Sequence, residues 1–264
     1  AYTMIKGVTP IAYAAIFARD GAIIELLLRR GADPRQRVGS LGMSALAQAA
    51  NFDNVDAVKT LMRHDPTLAD QAAKTGLLPF GWPLSFGGQH VVAFLRDEYP
   101  QQLEAAVRHH DTSVNGGIGI ASTAIESGSA PLDILTTILD FGEPVDRYAP
   151  KVKGMLVTLF RIVDFIAWLR PIDKLPDLVV LFAYINRSTT LHHAAYFGNL
   201  PAVDLLLERG ADVNSTANPK GMTPLILAAI GGHDDVVTRL LAEGASPGAK
   251  DKRGRIALSY AEKL

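Results

Sequence analysis

The chain has seven histidines, 27 Asp and Glu residues and no cysteine, and this limits the chemistry open to it. Without cysteine there is no disulfide, no thiolate metal site and no Cys nucleophile. His109, His110 and Asp111 form the densest run of groups that could bind a metal or move protons. Adjacent side chains do not face one way on a helix, and a metal needs three or four converging ligands, so the run reads as a solvated loop. Arg161 and Asp164 stand three apart in a stretch, 155–169, that is otherwise almost wholly apolar. They share a helix face and read as an internal ion pair, since an unpaired charge there would be costly. Gly117 and Gly119 have neither a preceding strand nor the third glycine of a dinucleotide-binding loop. Phosphate-loop and Ser-His-Asp signatures are absent. We therefore predict no catalytic residue, no cofactor and no metal. The competing reading is a small-molecule or catalytic pocket in the middle of the chain, lined by Trp82, His90, His109, Arg161, Asp164 and Trp168.

The segment Thr189 to Asn214, TTLHHAAYFGNLPAVDLLLERGADVN, shows which elements hold these residues. Thr189 reads as a helix N-cap whose hydroxyl accepts a first-turn N–H. Leu191, Ala194 and Ala195 make the apolar face of a short helix, and Gly198 ends it where a residue without Cβ turns cheaply. Val203, Leu205, Leu206 and Leu207 form a second helix face, stopped at Gly210. A helix–turn–helix with a β-turn finger in about 33 residues is the unit of an ankyrin repeat. The segment resembles that family closely, departing from its pattern mainly at Arg187, Thr190 and Asn199. The resemblance implies that His192 and His233, at positions where the family carries histidine, bond to neighbouring turns.

The same phase recurs along the chain. The opening position falls at Gly7, Gly42, Gly76, Gly117, Gly154, Arg187, Gly221 and Gly254, at spacings of 35, 34, 41, 37, 33, 34 and 33 residues. The predicted fold is all-α, an ankyrin-repeat solenoid forming one domain over 1–264. Its repeats lie near 7–41, 42–75, 76–116, 117–153, 154–186, 187–220 and 221–253, with a C-terminal cap at 254–264. Residues 76–186 are irregular. Pro83 falls about one turn after Pro79, where it would cost roughly 3 kcal/mol inside a regular helix, so a distorted inner helix is predicted there. The stretch from about Gln101 to Gly116 reads as the longest connection.

The chain has 264 residues, 48% hydrophobic and 20% charged, with net charge -1 and pI ≈ 6.7. That balance offers nothing to nucleic acid or an anionic membrane surface. The apolar run at 155–169 is too short and too interrupted for a membrane span, which needs roughly 20 residues. No secretory signal opens the sequence, and an intracellular, cytoplasmic setting is expected. Only six residues precede Gly7, so the first repeat lacks a polar cap, and a larger chain or assembly is one reading of that end.

Ten residues after each phase position stand Phe17, Phe52, Phe86 and Phe197, with Ser127, Asp164, Gly231 and Leu264 at the others. In the ankyrin fold this position ends the inner helix and tends to face the concave surface, and Tyr196 and Trp82 lie beside it. Aromatic anchors on a concave surface suit a binding groove. The resemblance and this row together imply a non-catalytic protein-interaction module or scaffold subunit. Its predicted contacts are Phe17, Phe52, Trp82, Phe86, Tyr196 and Phe197, with Met43, Leu77 and Met222 at the finger tips.

Overall fold

The computed structural model describes residues 8–74, 76–109, 119–126, 131–147 and 188–262. The readings at Gly7, His110, Asp111, Gly117, Gly154, Arg161, Asp164, Trp168 and Arg187 lie outside these residues. Among the described residues the protein is helical, with one isolated antiparallel bridge between Val38 and Met43. In chain order the helices are α1 (Pro10–Phe17), α2 (Ala22–Arg29), α3 (Ala45–Asn51), α4 (Val55–His64), α5 (Gly81–Phe86), α6 (Gln89–Glu98) and α7 (Pro100–Arg108). They continue with α8 (Ile120–Glu126), α9 (Leu132–Asp140), α10 (Thr190–Tyr196), α11 (Leu200–Glu208), α12 (Pro224–Gly231), α13 (Asp234–Ala242) and α14 (Leu258–Ala261). A 3-10 turn, Pro66–Asp70, follows α4. The chain divides into two compact units, 1–111 with 129–142 and 112–128 with 143–264. The division runs through the repeat predicted at 117–153, with α8 in the second unit and α9 in the first.

In the first unit the inner helices α1, α3 and α5 stack in succession, and α2, α4 and α6 each pack on their own inner helix. The starts of α1 and α3 are set by side-chain caps: Thr9 Oγ1 accepts the Ala12 N–H at 3.3 Å and Ser44 Oγ that of Ala47 at 3.3 Å. Where the sequence replaces the helix-ending glycine by Asp65-Pro66, Asp65 takes the Thr67 N–H at 3.0 Å and turns the chain into the 3-10 segment. Pro83 is accommodated by a later helix start than the sequence suggests. Helix α5 begins at Gly81, so Pro83 falls among the first four residues, whose N–H groups have no partner within the helix. The predicted connection after Gln101 is corrected. Helix α7 occupies Pro100–Arg108, buries Leu103, Ala106 and Val107, and lies against both α5 and α6. Pro100 at its first position and that apolar spacing are ordinary helix signals.

In the second unit the inner helices α8, α10, α12 and α14 stack in succession, with α11 and α13 on α10 and α12. Thr223 Oγ1 caps α12 through the Ile226 N–H at 3.4 Å, and Asn199 Oδ1 caps α11 through the Ala202 N–H at 3.1 Å. Thr189 departs from expectation. Its hydroxyl bonds His192 Nδ1 at 2.7 Å and caps no first-turn N–H. The opening glycines of the repeats are placed by backbone geometry: Gly42, Gly76, Gly221 and Gly254 hold φ of 64°, 82°, 67° and 75°, a region open to glycine at low cost.

Candidate functional site

The four phenylalanines of the predicted row stand at the C-terminal ends of inner helices, and all are exposed. In the first unit Phe17, Phe52 and Phe86 are 60%, 54% and 49% exposed, at the same place on three successive inner helices. Tyr13 lies 4.7 Å from the Phe17 ring, centroid to centroid, and extends the apolar area there. In the second unit Phe197 is 38% exposed, with Tyr196 half-buried and edge-on to it at 5.2 Å. Exposed large aromatic rings repeated at one register offer area to a partner that a self-contained core would have covered.

Four other candidates are placed inside the protein. Trp82 is buried with Met43, Ala47, Ala73 and Leu77 in one apolar cluster, and its ring stacks on Phe86 at 5.8 Å. Met43 and Leu77 are therefore core residues, joining the fingers of two successive repeats to Ala47 of α3 and Trp82 of α5. Met222 is fully buried, and its carbonyl accepts a bond from His192. Trp82 is buried on the face of α5 itself, and for Met43, Leu77 and Met222 the reason is shared: the residue following the opening glycine points inward. These residues support the surface and contribute no area to it.

The row ends at Gly231, which occupies the register of Phe197 one repeat later. A Cβ there would meet the Tyr196 carbonyl oxygen at 2.5 Å and the His233 ring at 2.6 Å. The close approach of these two inner helices thus excludes a side chain. His233 Nε2–H donates to that same Tyr196 carbonyl at 2.9 Å.

The loop between the paired helices carries the polar contacts of the site. Gly87, Gly198 and Gly232 hold it at φ of 85°, 68° and 71°, while in the α3–α4 loop Asp53 takes φ 55°. Asn54 Oδ1 caps α4 through the Ala57 N–H at 3.1 Å, and its Nδ2 donates to the carbonyls of Ala15 at 3.0 Å and Ala18 at 2.8 Å. At the matching position Gly88 has no side chain to cap α6. Asp53 supplies the missing acceptor, taking the Val91 N–H at 2.8 Å, the His90 N–H at 3.3 Å and His90 Nδ1–H at 2.6 Å.

The histidines of the family pattern are structural. His192 is fully buried, and its Nε2–H donates to the Met222 carbonyl at 2.9 Å, leaving Nδ1 to accept from Thr189. Burial pulls its pKa down to about 4 against the opposing effect of the Met222 carbonyl, so it is neutral at pH 7. The described members of the alternative pocket do not form one. Trp82 is in the core cluster, His90 is turned to Asp53, and His109 is exposed at the end of α7. No group of three or more His, Asp or Glu that could hold a metal occurs among the described residues, and no described helix is long and apolar enough to cross a membrane.

Comparison with known proteins agrees with this architecture. Residues 166–263 match the family described as ankyrin repeats (3 copies). The chain is 26% identical over 218 residues to the probable 26S proteasome regulatory subunit p28 of Saccharomyces cerevisiae, covering 79% of this chain and 89% of the yeast protein. It is 32% identical over 123 residues to the ankyrin repeat and SAM domain-containing protein 6 of Rattus norvegicus, where it covers 47% of this chain but spans only 13% of the rat protein's length. The crystal structure of the human ASB11 ankyrin repeat domain superposes with a TM-score of 0.66 at 17% identity, over 96% of this chain and 92% of that one. Residues 166–263 carry ankyrin repeats, and the fold is that of an ankyrin-repeat domain, all-α among the described residues. Protein binding is the role that such repeats support.

Proposed function

We propose that the protein is a non-catalytic interaction subunit that binds a partner protein along the concave side of its repeats. In the first unit Phe17, Phe52 and Phe86 are the anchors, and in the second Tyr196 and Phe197. The observation that carries this reading is the exposure of the phenylalanine at one register of three successive inner helices. Exposed aromatic rings on a preformed scaffold give a partner large apolar area at low ordering cost. The yeast relative, matched over most of its length, is named as a regulatory subunit of the proteasome, which is consistent with a role as one subunit of an assembly. An intracellular, cytoplasmic site of action belongs to the same proposal.

The test is a cross-linking capture from native lysate, comparing wild type with Phe52→Ala/Phe86→Ala after both are shown to be folded. A protein retained by wild type and lost by the double variant identifies the partner and the surface. Equal capture by both moves the interface elsewhere and overturns the role of the row.

A further inference from the structure

Two successive fingers of the second unit, the ones leading into α12 and α14, are built alike. In each, the opening glycine closes a tight turn by donating its N–H three residues back, Gly221 to the Asn218 carbonyl at 2.9 Å and Gly254 to the Asp251 carbonyl at 2.9 Å. The side chain at the first position of the turn holds it from inside. Asn218 Oδ1 accepts the Lys220 N–H at 2.8 Å, and Asp251 Oδ1 accepts the Arg253 N–H at 2.8 Å. Asn218 and Asp251 are both buried. The two central residues of each turn, Pro219-Lys220 and Lys252-Arg253, therefore form its tip. The tips touch, since the Lys252 N–H donates to the Lys220 carbonyl at 2.9 Å and Lys252 Nζ to the Pro219 carbonyl at 2.9 Å. A Cβ at Gly221 would meet Lys252 Cγ at 3.2 Å, so the lysine stem lies across that glycine.

The folding of these turns makes the charge at the tips one-sided. Residues 215–223 and 245–257 contain Lys220, Lys250, Lys252, Arg253 and Arg255, and their one acid is Asp251. That acid is turned inward with its side chain 1% exposed, where it takes the Arg255 guanidinium at 3.0 Å and the Tyr260 hydroxyl at 2.6 Å. Its charge is matched by Arg255 within the finger. Lys250, Lys252 and Arg253 are exposed, and Lys220 stays half-exposed with the following finger packed on it. We propose that this paired fingertip docks an acidic segment of a partner protein, a short run of Asp and Glu in extended chain. Carboxylates brought against it relieve the mutual repulsion of the cations, and the arginine fork can take one of them through two parallel bonds. The bonds between the fingers hold the cations in place beforehand, so little ordering is lost on binding. Such a patch sets the choice of partner and its rate of arrival more than the total affinity. Nucleic acid fits it less well, because neither segment has an aromatic ring on which a base could stack and the chain as a whole has net charge -1. The proposal stands independently of the aromatic row.

The probe is a fluorescein-labelled peptide with a central run of Glu and Asp, and its control carries the matching amides at those positions. Both are titrated by fluorescence anisotropy at low salt into the full chain as wild type, Lys250→Gln/Arg253→Gln and Arg30→Gln/Arg63→Gln. The last pair removes the same charge from exposed positions of the first unit. We expect saturable binding of the acidic peptide to wild type, weakened about fivefold or more by K250Q/R253Q and less than about twofold by R30Q/R63Q, with the Tm of both variants at the wild-type value. Added salt weakens the wild-type complex more steeply than that of K250Q/R253Q. Phe52→Ala/Phe86→Ala leaves the binding unaltered, so failure of the fingertip and failure of the aromatic row are read separately. Absence of saturable binding, equal binding of the amide peptide, or equal loss in R30Q/R63Q overturns the proposal. So does an oligothymidylate that binds more tightly than the peptide and is released by K250Q/R253Q, which would assign the tip to nucleic acid.

Discussion

Asp53 and His90 are joined at 2.6 Å across two repeats, and the same carboxylate caps the first turn of α6 through the Val91 N–H at 2.8 Å. To reach both, Asp53 accepts φ 55°, where the equivalent loops use glycine. Side chains in this region cost roughly 1 kcal/mol or more, although Asp and Asn enter it most readily. A lost N-cap costs about 1 kcal/mol, so the two effects nearly balance. We expect Asp53→Asn to be mildest, Asp53→Gly to lose the cap but relieve the backbone, and Asp53→Ala to lose both benefits. Urea midpoints should fall in that order, with Asp53→Ala lowest by about 2 kcal/mol. A stabilised Asp53→Gly would show that the cap contributes less than the backbone conformation costs.

Gly88 occupies the place at which Asn54 and Asn199 cap their own helices. Asparagine is among the best capping residues, so propensity alone recommends Gly88→Asn. The structure argues the opposite. A Cβ at 88 would meet Pro83 Cβ at 2.5 Å and Pro83 Cα at 3.1 Å, and a backbone-bound ring cannot swing aside. Gly88→Asn should lower stability by about 1–3 kcal/mol, the range for overpacking, as read from thermal and urea unfolding.

Stability should fall with acid in two separate windows. His192 is neutral when folded because burial holds its pKa near 4, while the unfolded chain takes up a proton near 6.5. The unfolded state therefore binds more protons between these values, and stability drops as pH falls from about 6.5 to 4, by about 3 kcal/mol. Asp251 acts lower. Burial by itself raises its pKa, but the Tyr260 hydroxyl at 2.6 Å and the Arg255 and Arg253 amides hold it below 3.8. Its contribution is present above 3.8 and is lost as pH falls through the lowered value. His192→Gln should flatten the upper window alone in pH-dependent chemical denaturation.

Trp82 and Phe86 are stacked neighbours with unequal expected effects. Trp82→Ala empties the cluster with Met43 and Leu77 and should cost about 3–5 kcal/mol, while Trp82→Phe should cost much less. Phe52→Ala removes an exposed ring and should stay within about 0.5 kcal/mol of wild type by calorimetry, while Phe86→Ala also gives up its stack on Trp82 and should cost about 0.5–1.5 kcal/mol. A Tm loss at Phe52 comparable with that at Trp82 would make the row a packing device.

The repeat phase was legible because it is written in residues with local duties. Glycines at left-handed turns, Thr or Ser before a helix and Val/Leu stripes each act within a few residues of where they stand. The exposed phenylalanines were legible for the same reason, since their register repeats. Burial of Met43, Leu77 and Met222 was not, because a finger residue points in or out according to how the hairpin folds on the next helix. The cap from Asp53 to α6 was hidden for a related reason: donor and acceptor lie 38 residues apart, and neither is unusual alone. Helix α7 was passed over because it falls between two phase marks, although Pro100 and the Leu103, Ala106, Val107 spacing announce it.

The polar links between successive repeats also set an order of assembly. Asn54 to Ala15, Asp53 to Val91, His192 to Met222 and His233 to Tyr196 join residues 39, 38, 30 and 37 apart. Ser122 and Thr190, by contrast, meet across 68 residues, where α8 stacks on α10. At about 5–20 residues per second of synthesis, most seams close within roughly 2–8 seconds of their first half emerging, and this one takes nearly twice as long. Among these links it is the one whose two halves, α8 with Ile120, Ala124 and Ile125 and the later α10, emerge furthest apart in time. Of the described seams, this is the one that leaves its first partner waiting longest for the second, and so the one at which a pause in synthesis would be felt most.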